Sequence, residues 1–152
     1  MAGYSGTPLV KKLGIKPGAK LFLVGAPAEY LKWVAPLPKD VTVLTRMSGQ
    51  IDFVHLFSTQ KLHLGKTLRT CLAKLKPNAM IWVSWPKKAS KVPTDITEDT
   101  IRELALPLGL VDIKVCAVDE VWSGLKLVLR KENRKVAIQP RVTRKRVKQK
   151  RR

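Results

Sequence analysis

The densest cluster of side chains that could do chemistry lies at the end of the sequence. Within residues 141–152 eight side chains are basic and none is acidic. They are Arg141, Arg144, Lys145, Arg146, Lys148, Lys150, Arg151 and Arg152. Cations at this density neutralise phosphates and release the counterions condensed on a nucleic acid, so the segment is a candidate nucleic-acid-binding arm. A solvated tail that only aids solubility, or a nuclear-localisation signal, has the same composition and stays an alternative.

Three further lysines follow a predicted strand. Lys87, Lys88 and Lys91 come directly after Trp85 and Pro86. If that strand is parallel to its neighbours, the lysines lie at the carboxyl edge of the sheet, where α/β proteins bind ligands, and three ammonium groups there favour an anion. We therefore add them to the candidate nucleic-acid-binding residues. Ordinary solvated loop charges beside a core tryptophan would give the same pattern.

A candidate ligand crevice combines residues from three segments. Gly25, Trp85, Asp119 and Trp122 each lie at or near the end of a predicted strand. Gly25 opens a Gly-Ala-Pro turn that is shorter than a phosphate-binding loop and lacks one amide donor, which favours a packing turn. Asp119 and the acid after it could do acid–base work, although hairpin-turn chemistry explains adjacent acids more often.

The histidines and cysteines give no pattern typical of a metal or nucleophilic site. His55 and His63 have no cysteine or carboxylate at ligand spacing, and neither has an adjacent Ser or Cys nucleophile signature. Cys71 and Cys116 lie far apart in apolar segments, which favours reduced residues and therefore a reducing cytoplasm. We predict no metal, no cofactor and no catalytic residue.

Composition favours one domain followed by a basic arm. The chain has 152 residues and a net charge of +19, and residues 130–152 carry 12 Lys or Arg and one acid. The end of this segment has too few apolar side chains to offset the entropy of ordering, so residues 131–152 are expected to be disordered unless bound. No apolar run is long enough for a membrane span, and no signal-peptide pattern is present, so a soluble protein is expected.

The elements that must position these residues alternate between strands and helices. A short helix ends at Gly14, and strands are predicted at residues 20–24, 41–44, 51–57, 79–85, 110–118 and 125–130. Helices are predicted at residues 27–35, from a cap at Ser58 or Thr59 to about residue 75, and after a cap at Thr97.

This order predicts an α/β fold with a doubly wound, mostly parallel Rossmann-like sheet of about six strands. The connection between the last two strands is too short for a crossover helix, so they should form a C-terminal antiparallel hairpin. The Rossmann-like domain is predicted to span residues 1–130. Its ligand crevice should lie at the carboxyl ends of the strands.

Three segments of the second half and the final hairpin carry a resemblance to a known family. The segments are residues 51–55 (IDFVH), 75–79 (LKPNA) and 82–84 (WVS). With the hairpin, they resemble the later elements of the class I S-adenosylmethionine-dependent methyltransferases. Where that family has a glycine-rich loop with an acid after strand one, and an acid after strand two, this chain has residues 24–27 (VGAP) and 44–46 (LTR). One βα unit between strands two and three is also missing. The resemblance therefore implies the fold without the cofactor-binding residues.

Four segments are similar to those of a family of small bacterial proteins of unknown function. They are residues 1–8 (MAGYSGTP), 83–90 (VSWPKKAS), 92–97 (VPTDIT) and 118–126 (VDEVWSGLK). The resemblance covers about residues 1–130 and implies no activity. The basic arm lies outside it.

Two functions from different classes follow. The first is a non-catalytic RNA-binding protein, with the ribosome as one candidate partner. Its folded domain would dock on the RNA while the arm contacts phosphates. The alternative is a divergent methyltransferase or other nucleotide-using enzyme with a site formed by Gly25, Trp85, Lys88 and Asp119. A scaffold with a peptide in the crevice, and an arm that binds DNA or an acidic protein, also fit. The oligomeric state stays open.

Overall fold

The computed structural model describes residues 7–47 and 49–132. Within these residues the helices are α1 (Leu9–Leu13), α2 (Tyr30–Trp33), α3 (Lys61–Leu72) and α4 (Glu98–Ala105). The strands are β1 (Lys20–Val24), β2 (Thr42–Leu44), β3 (Ile51–Phe57), β4 (Leu75–Pro86), β5 (Leu110–Ala117) and β6 (Trp122–Leu129). Short 3₁₀ helices occupy Lys88–Ser90 and Leu106–Leu108.

The six strands of the described chain form one mixed sheet in the order β2-β1-β3-β4-β6-β5. The first four are parallel, whereas β6 is antiparallel to both β4 and β5. The predicted fold class, with its C-terminal antiparallel hairpin, is confirmed.

The sheet has an apolar core on each face. Helices α3 and α4 cover one face, where Leu64, Leu68 and Ile101 pack against β3, β4 and β6. Helices α1 and α2 cover the other face, where Leu13 and Tyr30 pack with residues that include Trp82. Burial on both faces explains why the parallel strands are nearly continuous apolar runs.

Several predicted boundaries are wrong, and for α3 and β4 a tertiary contact accounts for the difference. α3 begins at Lys61 rather than after Ser58 or Thr59, because the Asp95 carboxylate accepts a hydrogen bond from the Lys61 amide at 2.7 Å. β4 begins at Leu75, which pairs with Ile51, rather than at residue 79. β6 begins at residue 122 rather than 125, and α2 is shorter than residues 27–35.

The topology has a switch point between β1 and β3. The chain leaves β1 for the edge strand β2 and then returns across β1 to β3. Residues 45–50 make this return, and their described part contains no helix. Because connections diverge on either side of such a point, a crevice opens at the carboxyl ends of β1 and β3.

Candidate functional site

A pocket of about 310 Å³ occupies the crevice at the switch point. Its lining comes from the carboxyl ends of β1 and β3, the start of α3 and the start of β6. The lining residues are Gly25, Phe57, Ser58, Thr59, Gln60, His63 and Trp122. The fold thus places a pocket at the edge of the sheet where the sequence predicts one.

Gly25 holds the ends of β1 and β3 close together. Its φ of +65° lies in the left-handed region, which side chains disfavour. A Cβ atom at this position would lie 2.8 Å from the carbonyl oxygen of Phe57. Only glycine therefore fits both the backbone conformation and the close approach of the two strands.

Ser58 and His63 form a hydrogen-bonded pair on the pocket wall. The Ser58 hydroxyl oxygen lies 2.8 Å from His63 Nδ1, and His63 Nε2 lies 3.4 Å from the Thr67 hydroxyl. Ser58 also donates to the Gln60 carbonyl at 3.1 Å. Since a hydroxyl has one proton, these contacts are satisfied together when His63 Nδ1 donates to Ser58. In that arrangement the pair orders the turn into α3 and leaves Ser58 without a base that takes its proton.

The sequence pattern did not predict this pair, because neither histidine has a serine or cysteine directly beside it in the sequence. Ser58 precedes His63 by five residues, and the turn at residues 58–60 folds it back onto the first turn of α3. A serine just before a helix that has a histidine in its first turn is the signal that could have found it.

A buried polar chain lies beneath the pocket. The Tyr30 hydroxyl is 2.8 Å from His55 Nδ1, and His55 Nε2 is 2.8 Å from the Ser84 hydroxyl. Burial lowers the pKa of His55 to about 3 and raises the pKa of Tyr30, so both groups are neutral. Both imidazole nitrogens are occupied, so His55 is a satisfied core residue.

This chain also supports the aromatic floor of the pocket. The His55 ring stacks on Phe57 with centroids 4.5 Å apart, and Phe57 meets the edge of Trp122 at 5.0 Å. Trp122 is held by the preceding turn, where Asp119 Oδ1 accepts from its amide at 2.7 Å and from that of Val121 at 2.9 Å. Asp119 therefore stabilises the turn between β5 and β6.

The four predicted crevice residues do not all meet. Gly25 and Trp122 line the pocket, and Asp119 lies behind Trp122 in the turn. Trp85 is buried on the other face of the sheet, in the core beneath α3 and α4. Its side chain is therefore part of that core and outside the pocket lining.

The lysine loop after β4 is fixed at both ends. The Lys87 amide donates to the Val121 carbonyl at 2.7 Å, and the Thr94 hydroxyl donates to the Thr59 carbonyl at 2.8 Å. Between these points Lys88 and Lys91 are exposed at the carboxyl edge of the sheet. The loop presents its cations on a rigid turn beside the pocket.

A second pocket of about 220 Å³ lies at the opposite end of the sheet. Lys16, Asp52 and Lys76 are the charged residues of its lining. Asp52 pairs with the Lys76 ammonium at 2.8 Å and accepts from the Lys20 amide at 2.7 Å, so both of its oxygens are engaged.

The described residues contain no group of three His, Cys, Asp or Glu side chains that could hold a metal ion. Burial raises the pKa of the Cys71 thiol to about 11 and also raises that of Cys116, so neither is an activated nucleophile. No helix in this part of the chain is long and apolar enough to cross a membrane. The predicted nucleic-acid-binding residues from Arg141 to Arg152 lie outside the described residues.

No protein-family model matches the sequence, and no curated protein matches it. Solved structures of methyltransferases, however, share the fold. A SAM-dependent methyltransferase from Aquifex aeolicus gives a TM-score of 0.59 at 19% identity, over 80% of this chain and 88% of that one. Aeropyrum pernix fibrillarin with bound S-adenosyl-L-methionine gives 0.57 at 11% identity, over 79% and 73%.

The tRNA methyltransferase TrmK of B. subtilis gives a TM-score of 0.55 at 12% identity, over 82% of this chain and 65% of that one. At such identities the similarity establishes the fold. The predicted likeness to the class I methyltransferase fold is confirmed, whereas the likeness to the small bacterial family stays a prediction.

Proposed function

We propose that this protein binds RNA, with ribosomal RNA as the first candidate partner, and that its methyltransferase-like domain is a non-catalytic scaffold for this contact. The observation that carries the proposal is the charge of residues 130–152, which have 12 basic residues and one acid. Each cation that reaches a phosphate releases counterions, so such an arm contributes affinity for RNA.

The lining of the crevice supports a non-catalytic role. None of the seven lining residues is an Asp or Glu, and the segments after β1 and β2 supply Gly-Ala-Pro and Thr-Arg instead of acids. A carboxylate is the usual partner of ribose hydroxyls in Rossmann-type sites. The Ser58–His63 pair is engaged in the turn before α3, which leaves no activated base among these residues.

The Lys87 loop is the proposed second contact of the domain. Its lysines lie on a turn that is hydrogen-bonded to Val121, before β6, and to Thr59, before α3, so phosphate contacts there would fix the orientation of the RNA. The tRNA methyltransferase among the structural relatives shows that this fold occurs in a protein that acts on RNA. We also propose that the protein acts in the cytoplasm, where its two thiols would stay reduced.

The proposal is tested by fractionating cell extracts at increasing salt and asking whether the full-length chain sediments with ribosomes. We expect co-sedimentation at low salt that is lost steeply as salt rises, because the contact is electrostatic. Treatment with ribonuclease should release the protein. Recovery entirely in the free pool at low salt would overturn the proposal.

A divergent methyltransferase is the second candidate, and the pocket at the switch point favours it because that is where this fold class binds nucleotides. Thermal unfolding with S-adenosylmethionine and its demethylated product distinguishes the two. A ligand at 100 times its dissociation constant stabilises the fold by about 2.7 kcal/mol, which shifts the midpoint by several degrees. No shift would favour the binding function.

A further inference from the structure

Four lysines from three parts of the chain lie on the α1 side of the sheet. Lys114 in β5 is directly opposite Lys126 in β6, and directly opposite residues of an antiparallel pair share a face. Lys126 is also opposite Trp82 of β4, whose indole donates to the Leu13 carbonyl of α1 at 2.8 Å. The two lysines are therefore on the α1 side of the sheet.

The other two lysines come from α1 and the turn after it. The Lys12 ammonium donates to the Ala117 carbonyl at the end of β5, at 3.2 Å. Burial lowers the pKa of Lys126, and the nearby charges of Lys114 and Lys16 lower it further. We call Lys12, Lys16, Lys114 and Lys126 the basic face.

The basic face has no ion pair among the described residues. Among the described residues, the ion pairs involve Lys61, Lys76 and Arg102, and none involves a lysine of the basic face. The opposite face of β5 differs, because Arg102 there pairs with Asp112 and with two acids of α4. Like charges directly opposite on neighbouring strands are destabilising, so an external anion would relieve a repulsion that the fold leaves in place.

β6, which the basic arm follows in the sequence, ends at the same end of the sheet as the pocket that Lys16 lines. β6 runs antiparallel to β4, so its last residue, Leu129, lies at the end of the sheet where β4 begins. Met80, opposite Val128, lines the same pocket as Lys16. By contrast, the Lys87 loop lies at the other end of β6, about 23 Å away at 3.3 Å per residue.

We propose that the basic face is the surface on which the domain receives RNA, and that the sugar–phosphate backbone held by the arm continues across β5 and β6. This inference rests on the proposed RNA-binding function and gives it a location. Neighbouring ammonium groups without an ion pair among the described residues fit a run of phosphates, and the basic residues of the arm follow β6 in the sequence.

A charge-matched pair of variants tests the surface. The full-length double variant K114Q/K126Q removes the cross-strand repulsion, so it should fold at least as well as the parent. The control K32Q/K66Q removes two exposed lysines from α2 and α3. We expect K114Q/K126Q to weaken binding to a ribosomal RNA fragment about tenfold and to flatten log affinity against log salt by about 1.4 units, and the control to change both much less.

A second measurement uses the unmodified chain. RNA should protect Lys16, Lys114 and Lys126 from acylation by an amine-reactive reagent, read by mass spectrometry, while Lys32 and Lys66 stay reactive. One outcome is that the parent binds RNA, that K114Q/K126Q and K32Q/K66Q bind it with equal affinity, and that RNA leaves the lysines of the basic face unprotected. In that case the basic face is not the RNA-binding surface, and the proposed RNA-binding function stands. If the parent binds no RNA, both fall. A protein partner that stays bound to the parent after ribonuclease treatment, and that only K114Q/K126Q fails to bind, would show that the basic face binds protein. That result would overturn the inference.

Discussion

The pocket at the carboxyl end of the sheet and the basic face differ in how their polar groups are used. At the pocket, Ser58 and His63 are hydrogen-bonded in the turn before α3, and Asp119 is bonded in the turn before Trp122. On the basic face, Lys114 and Lys126 are directly opposite each other, and among the described residues no ion pair involves a lysine of this face. The polar groups at the pocket are thus engaged within the fold, whereas like charges meet on the basic face.

Removal of residues 141–152 is the strongest test of this contrast. The deletion takes away eight basic residues. At about 0.7 per contacted phosphate, the plot of log RNA affinity against log salt should flatten by at most about 5 to 6 units. The thermal midpoint should hardly move, because the described core ends before Arg130. An unchanged salt slope would show that the arm is a solubility tail.

Substitution of Gly25 by Ala should destabilise the fold at the carboxyl end of the sheet and leave RNA affinity unchanged. The new Cβ atom must adopt a positive φ and meets the Phe57 carbonyl oxygen at 2.8 Å, so we expect a loss of about 2 to 3 kcal/mol in denaturant unfolding.

Gly18 provides the matched control for Gly25. Its φ is +78°, but an added Cβ atom would meet nothing within 4 Å, so Gly18→Ala should cost only about 1 kcal/mol. Equal losses in the two variants would show that the close approach of β1 and β3 contributes nothing beyond backbone strain.

The buried histidine should make the fold sensitive to mild acid. The pKa of His55 is about 3 in the folded chain against an ordinary 6.5, so between these values the unfolded chain binds a proton that the native chain does not. Stability is therefore full above pH 6.5 and falls with decreasing pH.

We expect a loss of about 2 kcal/mol between pH 7 and pH 5 for this group, measured by urea unfolding. A His63→Gln variant should keep this dependence, since His63 is exposed. A His55→Gln variant should lose it, whatever its absolute stability. The same pH dependence in both variants would mean that another group is responsible.

Replacement of Lys87, Lys88 and Lys91 by Ala should weaken RNA affinity less than removal of residues 141–152 does. Three cations account for at most about 2 units of salt slope, and we expect about a tenfold weakening or less. The loop is hydrogen-bonded to Val121 and Thr59, so its lysines hold fixed positions. Removal of the three charges should therefore mainly change where the domain binds on the RNA, as measured by footprinting. An unaltered footprint would remove the loop from the binding surface.

Local patterns predicted much of the fold correctly. β1 and β3 have the predicted bounds, because a short apolar run bounded by turn residues has few alternatives to a buried strand. α4 begins at its predicted cap, where the Thr97 side chain accepts from the Thr100 amide. The start of α3 was mispredicted because its first amide is bonded by Asp95, 34 residues away in the chain.

The sequence by itself determined the order of helices and strands along the chain, the mixed sheet and the excess of basic residues. Periodicity, turn chemistry and charge are local or additive properties, so short segments are enough to predict them. Tertiary structure alone decided which residues share a site. Trp85 lies in the core beneath α3 and α4, whereas Trp122 lines the pocket. Lys12 meets the end of β5 across 105 positions of chain. Such contacts depend on strand register and helix docking, which are set by the packing of the whole core and are not encoded in any short segment.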